Sequence, residues 1–120
     1  MGYRSEVGIC LTNAGRQALD SKIHALEAED EKTQHIRNLL NASSTKLEDQ
    51  ESGAVGWLWD SVKWYVDYDD VSFIENFLKN LDDTEYLFIR IGESVDDTEI
   101  HGAFWDNPFS MNFVRGITYD

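Results

Sequence analysis

The segment that decides the fold runs from Val55 to Trp105. Near its start lies the aromatic run of residues 57–65, Trp-Leu-Trp-Asp-Ser-Val-Lys-Trp-Tyr. Aromatic and β-branched side chains favour a strand here, and large rings stand on both of its faces when the residues alternate. Such a strand is either central in a sheet and covered on both sides, or it presents one aromatic face to a partner. Residues 70–81 follow, with apolar side chains spaced along one helical face, and they predict a helix.

A β-hairpin and a final strand are predicted after this helix. Residues 86–91, Tyr-Leu-Phe-Ile-Arg-Ile, have the composition and length of a strand. Residues 92–97 are rich in turn-forming side chains, and 98–104 are expected to return as the antiparallel partner strand. Residues 111–119 alternate in a strand pattern and predict the last strand.

The first half of the chain predicts a strand followed by helical structure. Residues 3–12 alternate weakly and predict the first strand, and Asn13 is expected to cap the helix that follows, since its side chain can accept a bond from a free amide. The apolar face of that helix lapses around residues 29–31. The chain therefore holds either one bent helix or two helices there, and one long helix, broken or continuous, is the preferred interpretation.

The chain is expected to form a single domain, residues 1–120, with a polar loop at about 41–53. The predicted order of elements is β-α-β-α-β-β-β. This order indicates an α+β fold, with an antiparallel or mixed sheet of about five strands and two helices packed on one face.

The charge is strongly negative and unevenly distributed. The formal net charge is −13, and residues 60–106 hold 13 acidic residues against Lys63, Lys79 and Arg90. A field of this sign repels nucleic acid and anionic membranes and steers basic surfaces toward the protein. We therefore expect a partner with a basic surface, no direct nucleic-acid binding and no membrane binding. The alternative, that the acidity only provides solubility, stays open.

Cysteine content and hydropathy indicate a cytoplasmic protein. Cys10 is the single cysteine, so no internal disulfide forms, and its apolar neighbours predict a buried thiol. No apolar run approaches the ~20 residues of a membrane span. The opening residues lack the apolar core of a signal peptide.

No motif of the chain predicts a catalytic, metal or cofactor site. His24 and His35 have no partner at metal-ligand spacing. The runs Asp67-x-Asp69-Asp70 and Asp96-Asp97-x-Glu99 lack the turn glycine and distal glutamate of a calcium loop, and helix capping and turn formation explain them. His101 beside Glu99 is the best available acid–base pair, and an enzyme is a weak hypothesis.

Four segments resemble a group of small acidic proteins of phages and prophages. They are residues 1–7 (Met-Gly-Tyr-Arg-Ser-Glu-Val), 62–65 (Val-Lys-Trp-Tyr), 69–71 (Asp-Asp-Val) and 88–93 (Phe-Ile-Arg-Ile-Gly-Glu). The resemblance covers the start and the middle of the chain. It implies a viral origin and action in the host cytoplasm, and it brings no catalytic motif and no function.

The preferred hypothesis is an acidic phage protein that inhibits a host nucleic-acid-handling or defence protein by occupying its basic surface. In the sharpest version the carboxylates stand where DNA phosphates would bind, so that the protein is a DNA mimic. The predicted partner-binding residues are nine acids and two rings: Asp67, Asp69, Asp70, Asp82, Asp83, Glu93, Asp96, Asp97, Glu99, Trp57 and Trp59.

Three alternatives remain beside this hypothesis. The chain could be an assembly protein that forms a homo-oligomer through its aromatic strand, because tryptophan and tyrosine are enriched in interface hot spots. It could be an immunity protein that neutralises a basic toxin, or an uncharacterised enzyme that uses His101 and Glu99. Of the four tryptophans, at least two are expected in the core and at least one partly exposed.

Overall fold

The computed structural model describes residues 2–26, 31–94 and 96–113. These residues form an α+β fold, which confirms the predicted fold class. The elements are β1 (Ser5–Leu11), α1 (Asn13–His24), α2 (Glu31–Asn41), β2 (Thr45–Glu48), β3 (Val55–Val62), α3 (Asp69–Lys79), a single 3₁₀ turn (Asp83–Glu85), β4 (Tyr86–Ile91) and β5 (Thr98–Gly102).

The five strands form one sheet in the order β2-β3-β1-β4-β5, and every neighbouring pair is antiparallel. Strand β1 is central, with β3 and β4 on its two sides. Since both flanking strands run antiparallel to β1, they run parallel to each other. Helix α3 therefore crosses the sheet from the end of β3 to the start of β4.

The apolar residues form one cluster on each face of the sheet. The three helices cover the first face, where Val7, Ile9 and Leu11 of β1 pack with Trp57 and Trp59. On the opposite face a smaller cluster contains Cys10, Leu87, Ile89 and Met111, with Phe104 and Phe109 packed against it. The segment 103–113 thus covers the face that the helices leave open.

The aromatic strand is interior, which corrects the idea that it could face a partner. Strand β3 lies between β2 and β1, and the side chains of Trp57 and Trp59 are 6% and 2% exposed. Trp64 is also buried, whereas Trp105 is 46% exposed. The predicted division of the tryptophans is confirmed, but homo-oligomerisation through β3 would require rings that the core already holds.

Three predictions about the first half of the chain are wrong. The predicted polar loop 41–53 contains β2, a strand of mostly exposed side chains that forms because its backbone pairs with β3. Such pairing is set by tertiary context, which composition does not report. The helical region holds two helices, α1 and α2, instead of the preferred single one, and Thr12 caps α1 where Asn13 was expected. The Thr12 hydroxyl accepts a bond of 3.2 Å from the Gly15 amide.

The C-terminal predictions are met only in part. Strand β5 ends at Gly102, two residues earlier than expected, because Gly102 adopts a φ of 89° that turns the chain. Residues 111–113 are not in a strand. The remainder of the predicted last strand, 114–119, lies outside the described residues.

Candidate partner-binding site

The nine predicted acidic residues fall in three places instead of one. Asp67, Asp69 and Asp70 lie between β3 and α3, and Asp82 and Asp83 lie at the other end of α3. The remaining four belong to the hairpin that β4 and β5 form, three in its turn and the last in β5 itself: Glu93, Asp96, Asp97 and Glu99. Helix α3 has 11 residues, and at 1.5 Å per residue it separates the first two groups by about 16 Å.

We call residues 65–70, Tyr-Val-Asp-Tyr-Asp-Asp, the acidic turn. Its apolar side chains are unusually open to solvent: Val66 is 63% exposed and Tyr68 is 44% exposed. The Tyr65 and Tyr68 rings contact each other with centroids 5.1 Å apart. The carboxylates of Asp67 and Asp69 are exposed beside them. The turn therefore presents apolar area and negative charge on one short segment.

Local hydrogen bonds hold the acidic turn in place. The Tyr68 amide donates to the Tyr65 carbonyl at 3.0 Å, and the Ser72 amide donates to the Tyr68 carbonyl at 2.9 Å. Tyr68 is the N-cap of α3, and its side chain makes no capping bond. Asp69 and Asp70 occupy the first helical turn, so neither is the N-cap, but Asp70 Oδ1 accepts a bond of 2.8 Å from the Val71 amide and so satisfies a free amide, as predicted. Their charges still favour the positive end of the helix dipole.

The hairpin acids Asp97 and Glu99 are bound to Arg90. Arg90 Nη2 donates to Asp97 Oδ1 at 2.6 Å, and Arg90 Nε donates to Glu99 Oε2 at 2.5 Å. Arg90 Nη1 also donates to the Ser5 hydroxyl at 3.0 Å. The Tyr3 hydroxyl donates to Asp97 Oδ2 at 2.6 Å. We call these five residues the Arg90 network, and it fastens the N-terminal segment to the hairpin.

The Arg90 network changes the electrostatics of its members. Hydrogen bonds from Arg90 and then Tyr3 hold the pKa of Asp97 below its usual value. Bonding to Asp97 and Glu99 raises the pKa of Arg90 against the effect of burial. Asp97 and Glu99 are therefore structural charges that an internal cation compensates, which separates them from the exposed acids predicted to meet a partner.

The other predicted acids of the hairpin and of the 3₁₀ turn are exposed or accept local hydrogen bonds. Glu93 is exposed and accepts a bond of 2.5 Å from the Arg4 amide, and Asp96 is exposed. Asp82 accepts bonds from the amide and the hydroxyl of Thr84, which lower its pKa. Asp82 therefore caps the 3₁₀ turn, and neighbouring Asp83 is exposed.

The acidic turn and the hairpin share the end of the sheet where β1 begins. Gly2 lies against the Tyr65 hydroxyl, and Tyr3 reaches the hairpin through Asp97. Two basic residues, Arg4 and Lys63, lie between the acidic turn and the hairpin. The acids of this end therefore form two patches, and the acidic turn is the one whose charges have no cation bound to them in the described chain.

Trp57 and Trp59 do not belong to the site, since both rings lie in the core. Val66 and Tyr68 are exposed instead and become candidate contact residues, which the sequence prediction did not include. The signal was present. Five aspartates or tyrosines in residues 65–70 are more typical of an exposed turn than of a buried strand.

The proposed acid–base pair is not assembled. Glu99 is bound to Arg90, and the His101 ring instead stacks on Phe88, with centroids 5.9 Å apart. His101 borders a small cavity with polar neighbours Glu75, Lys79 and Tyr86. The cavity measures about 10 Å³, which is room for one water molecule and not for a substrate.

Within the described ranges, no group of three His, Cys, Asp or Glu side chains is placed to hold a metal ion. No helix in the same part of the chain is long and apolar enough to cross a membrane. Comparison with protein-family models, with curated proteins and with solved structures gives no match.

Proposed function

We propose that this is an acidic binding protein whose acidic turn docks on the basic surface of a protein that handles nucleic acid or takes part in defence. The observation that carries the proposal is the exposure of Val66 and Tyr68 beside the carboxylates of Asp67 and Asp69. Interfaces combine apolar contact with complementary charge, and this turn offers both.

The charge of residues 60–106 supports the choice of a basic partner. Among the described residues, the only acids of this segment in ion pairs are Asp97 and Glu99, both with Arg90. The charges of the acidic turn are therefore uncompensated by salt bridges in the described chain. An uncompensated field accelerates encounter with a cationic surface and opposes encounter with an anionic one.

The two tyrosine rings supply contact area, which charge alone does not provide. An exposed ion pair contributes only about 0–1 kcal/mol, because water and salt screen it. Tyrosine buries a large area at low entropic cost and is enriched in interface hot spots. Tyr65 and Tyr68 contact each other, so they form one aromatic surface flanked by acids.

In the sharper form of the proposal, the carboxylates occupy sites where the partner binds DNA phosphates. Displacement of the partner's counterions would then favour the complex, as it does for DNA, and nucleic acid would be excluded. The resemblance to small acidic phage and prophage proteins directs the search for this partner to the cytoplasm of a bacterial host.

A capture experiment tests the proposal. The immobilised protein is incubated with host lysate at low salt, and the bound proteins are eluted with a salt gradient and identified by mass spectrometry. Two variant baits carry the same change in charge: Asp67→Asn with Asp69→Asn and Asp70→Asn in the turn, and Asp20→Asn with Glu31→Gln and Glu51→Gln elsewhere.

The expected result is a basic nucleic-acid-binding protein that the wild type and the second bait retain and the turn variant loses. Release of this protein by duplex DNA would support the DNA-mimic form, while release by salt but not by DNA would restrict the proposal to basic-surface binding. Equal capture by the turn variant would show that the acidic turn is not the contact site.

A further inference from the structure

Strand β5 forms an open edge of the sheet. It pairs with β4 on one side, and no strand of the described chain pairs with its other side. The opposite edge, β2, has four residues and carries an ion pair of 3.3 Å between Lys46 and Glu48. Short length and charged side chains, lysine above all, are how proteins protect a sheet edge from further pairing. Strand β5 contains no lysine and no proline, so it is the less protected edge.

The ladder to β4 directs the peptide groups of Ile100 outward. Gly92 lies opposite Asp97, and its amide donates to the Asp97 carbonyl at 2.8 Å. Hydrogen-bonded and non-hydrogen-bonded positions alternate along an antiparallel ladder. Three positions further on, Ile89 lies opposite Ile100, so that position is not hydrogen-bonded. The N–H and C=O of Ile100 therefore point away from β4, toward the open edge.

The side chains of β5 are self-complementary about Ile100. Ile100 lies opposite Ile89 on the face away from the helices, and it is 39% exposed. Its two neighbours, Glu99 and His101, lie on the other face. A carboxylate therefore precedes the exposed isoleucine and an imidazole follows it.

We propose that two copies of this chain pair β5 with β5 in antiparallel orientation, about a two-fold axis at Ile100. In this register the two Ile100 residues exchange both of their outward hydrogen bonds. Glu99 of each copy lies opposite His101 of the other, at the positions where facing side chains approach most closely. The imidazole N–H can donate to the facing carboxylate, and the isoleucines contact each other on the far face.

Pairing of this kind closes on itself, since the same strand is used by both copies. It joins two five-stranded sheets into one of ten strands. The contact is short and lies at the small end of interface sizes, so the dimer forms at high protein concentration. Each copy carries a net charge of −13, and salt favours the dimer by screening the repulsion. The inference does not depend on the acidic turn. Salt weakens the proposed contact between that turn and a basic partner, whereas it favours the β5 dimer.

Residue-resolved hydrogen exchange tests the register directly. Amide exchange is measured by NMR on the full chain at low and at high protein concentration, in moderate salt. Within the part of the chain that the structure describes, the Ile100 amide has no ladder partner in the single copy, so its exchange should slow at least tenfold on concentration. The amides of Glu99 and His101 already bond to β4 and should change little. An Ile100 amide that exchanges equally fast at both concentrations would overturn the proposal.

Edge variants test the same contact by sedimentation equilibrium. Ile100→Lys places a charge at the centre of the proposed interface and should abolish the dimer, while Thr45→Lys on the β2 edge should leave it unchanged. A second pair does not disturb the isoleucine. His101→Glu sets two carboxylates opposite each other and should weaken dimerisation at least tenfold, and His101→Gln, which keeps a donor, should weaken it less. A dimer that persists in Ile100→Lys and His101→Glu, or that is lost in Thr45→Lys alone, would contradict pairing through β5.

Discussion

The indole N–H of Trp59 donates a hydrogen bond of 3.0 Å to the carbonyl of Leu39, and both residues are buried. Leu39 lies in the last turn of α2, where helical carbonyls have no partner four residues ahead. The Ala42 amide also reaches this carbonyl, at 3.3 Å. The bond therefore joins strand β3 to the end of α2 and helps to fix how the helical layer sits on the sheet.

Replacing Trp59 with phenylalanine should destabilise the protein modestly. The variant keeps an aromatic ring in the core but removes the donor to Leu39, so we expect a loss of about 1 kcal/mol in the free energy of unfolding, plus the effect of lost ring volume. Urea unfolding measures it. Trp105→Phe, at a residue that is 46% exposed, is the control and should change stability by about 0.5 kcal/mol or less. Equal losses in both variants would show that the buried bond contributes nothing.

Removal of Arg90 should be the most damaging change of a charged side chain. Arg90→Ala leaves Asp97 and Glu99 facing each other without the cation that both of them bind. We expect a loss of about 2 kcal/mol in the free energy of unfolding, as is typical for hydrogen bonds to charged groups. Arg37→Ala, an exposed arginine, is the matched control and should have little effect. An Arg90→Ala protein as stable as this control would contradict a structural role for the network.

The contribution of Asp97 should disappear in acid. Its pKa is lowered below the ordinary value of 3.8, so its ionised form is favoured in the folded state. A lowered carboxyl pKa stabilises the fold above the unfolded value, and the contribution is lost as pH falls through the folded one. The difference in stability between wild type and Asp97→Asn should therefore be constant from pH 7 to about 5 and shrink below about 4.

The Arg90→Ala background provides the control for this pH dependence. Without the guanidinium, the stability difference produced by Asp97→Asn should shrink less in acid, because the main cause of the lowered pKa is gone and only the hydrogen bond from Tyr3 is left. If this stability difference shrinks equally in both backgrounds, Arg90 is not the cause of the lowered pKa of Asp97.

Cys10 should resist alkylation in the folded protein. Its side chain is fully buried, its Sγ lies 3.3 Å from Met111 Sδ, and burial raises its pKa to about 12. Thiolate is the reactive form, so iodoacetamide at pH 8 should label the chain only in denaturant, as mass spectrometry would show. Labelling of the native protein at the rate of a free thiol would contradict a closed core around Cys10.

The elements that sequence predicts well are those whose side chains alone encode them. Helix α3 and strand β4 lie within two residues of the predicted ranges, because a strong apolar stripe and a compact run of β-forming residues identify them. Strand β2 has no such pattern. It exists because β3, the next strand along the chain, offers it a free edge, and the side chains of β2 do not themselves encode that pairing.

The candidate site likewise combines features that the sequence predicts with features that depend on the fold. The acid-rich segments were identifiable from composition. The binding of Asp97 and Glu99 by Arg90, however, depends on strand register. The burial of Trp57 and Trp59 likewise depends on which strands flank β3. Exposure of Val66 and Tyr68 follows from where β3 ends, and strand ends are the least certain feature of a sequence prediction.

The most direct test of the central claim is the salt dependence of the affinity for the captured basic partner. The dissociation constant is measured between low and moderate ionic strength for the wild type, for the turn variant (Asp67→Asn, Asp69→Asn, Asp70→Asn) and for the control variant (Asp20→Asn, Glu31→Gln, Glu51→Gln). Loss of Asp69 and Asp70 costs α3 about 0.3–1 kcal/mol each, so a thermal melt first confirms that the turn variant is folded.

We predict that the wild type and the control variant lose affinity steeply as salt rises, and that the turn variant binds more weakly with a shallower dependence. The reason is that its three removed charges no longer contribute to the screened attraction. A turn variant with the affinity and salt dependence of the control variant would contradict the claim that the acidic turn binds the partner.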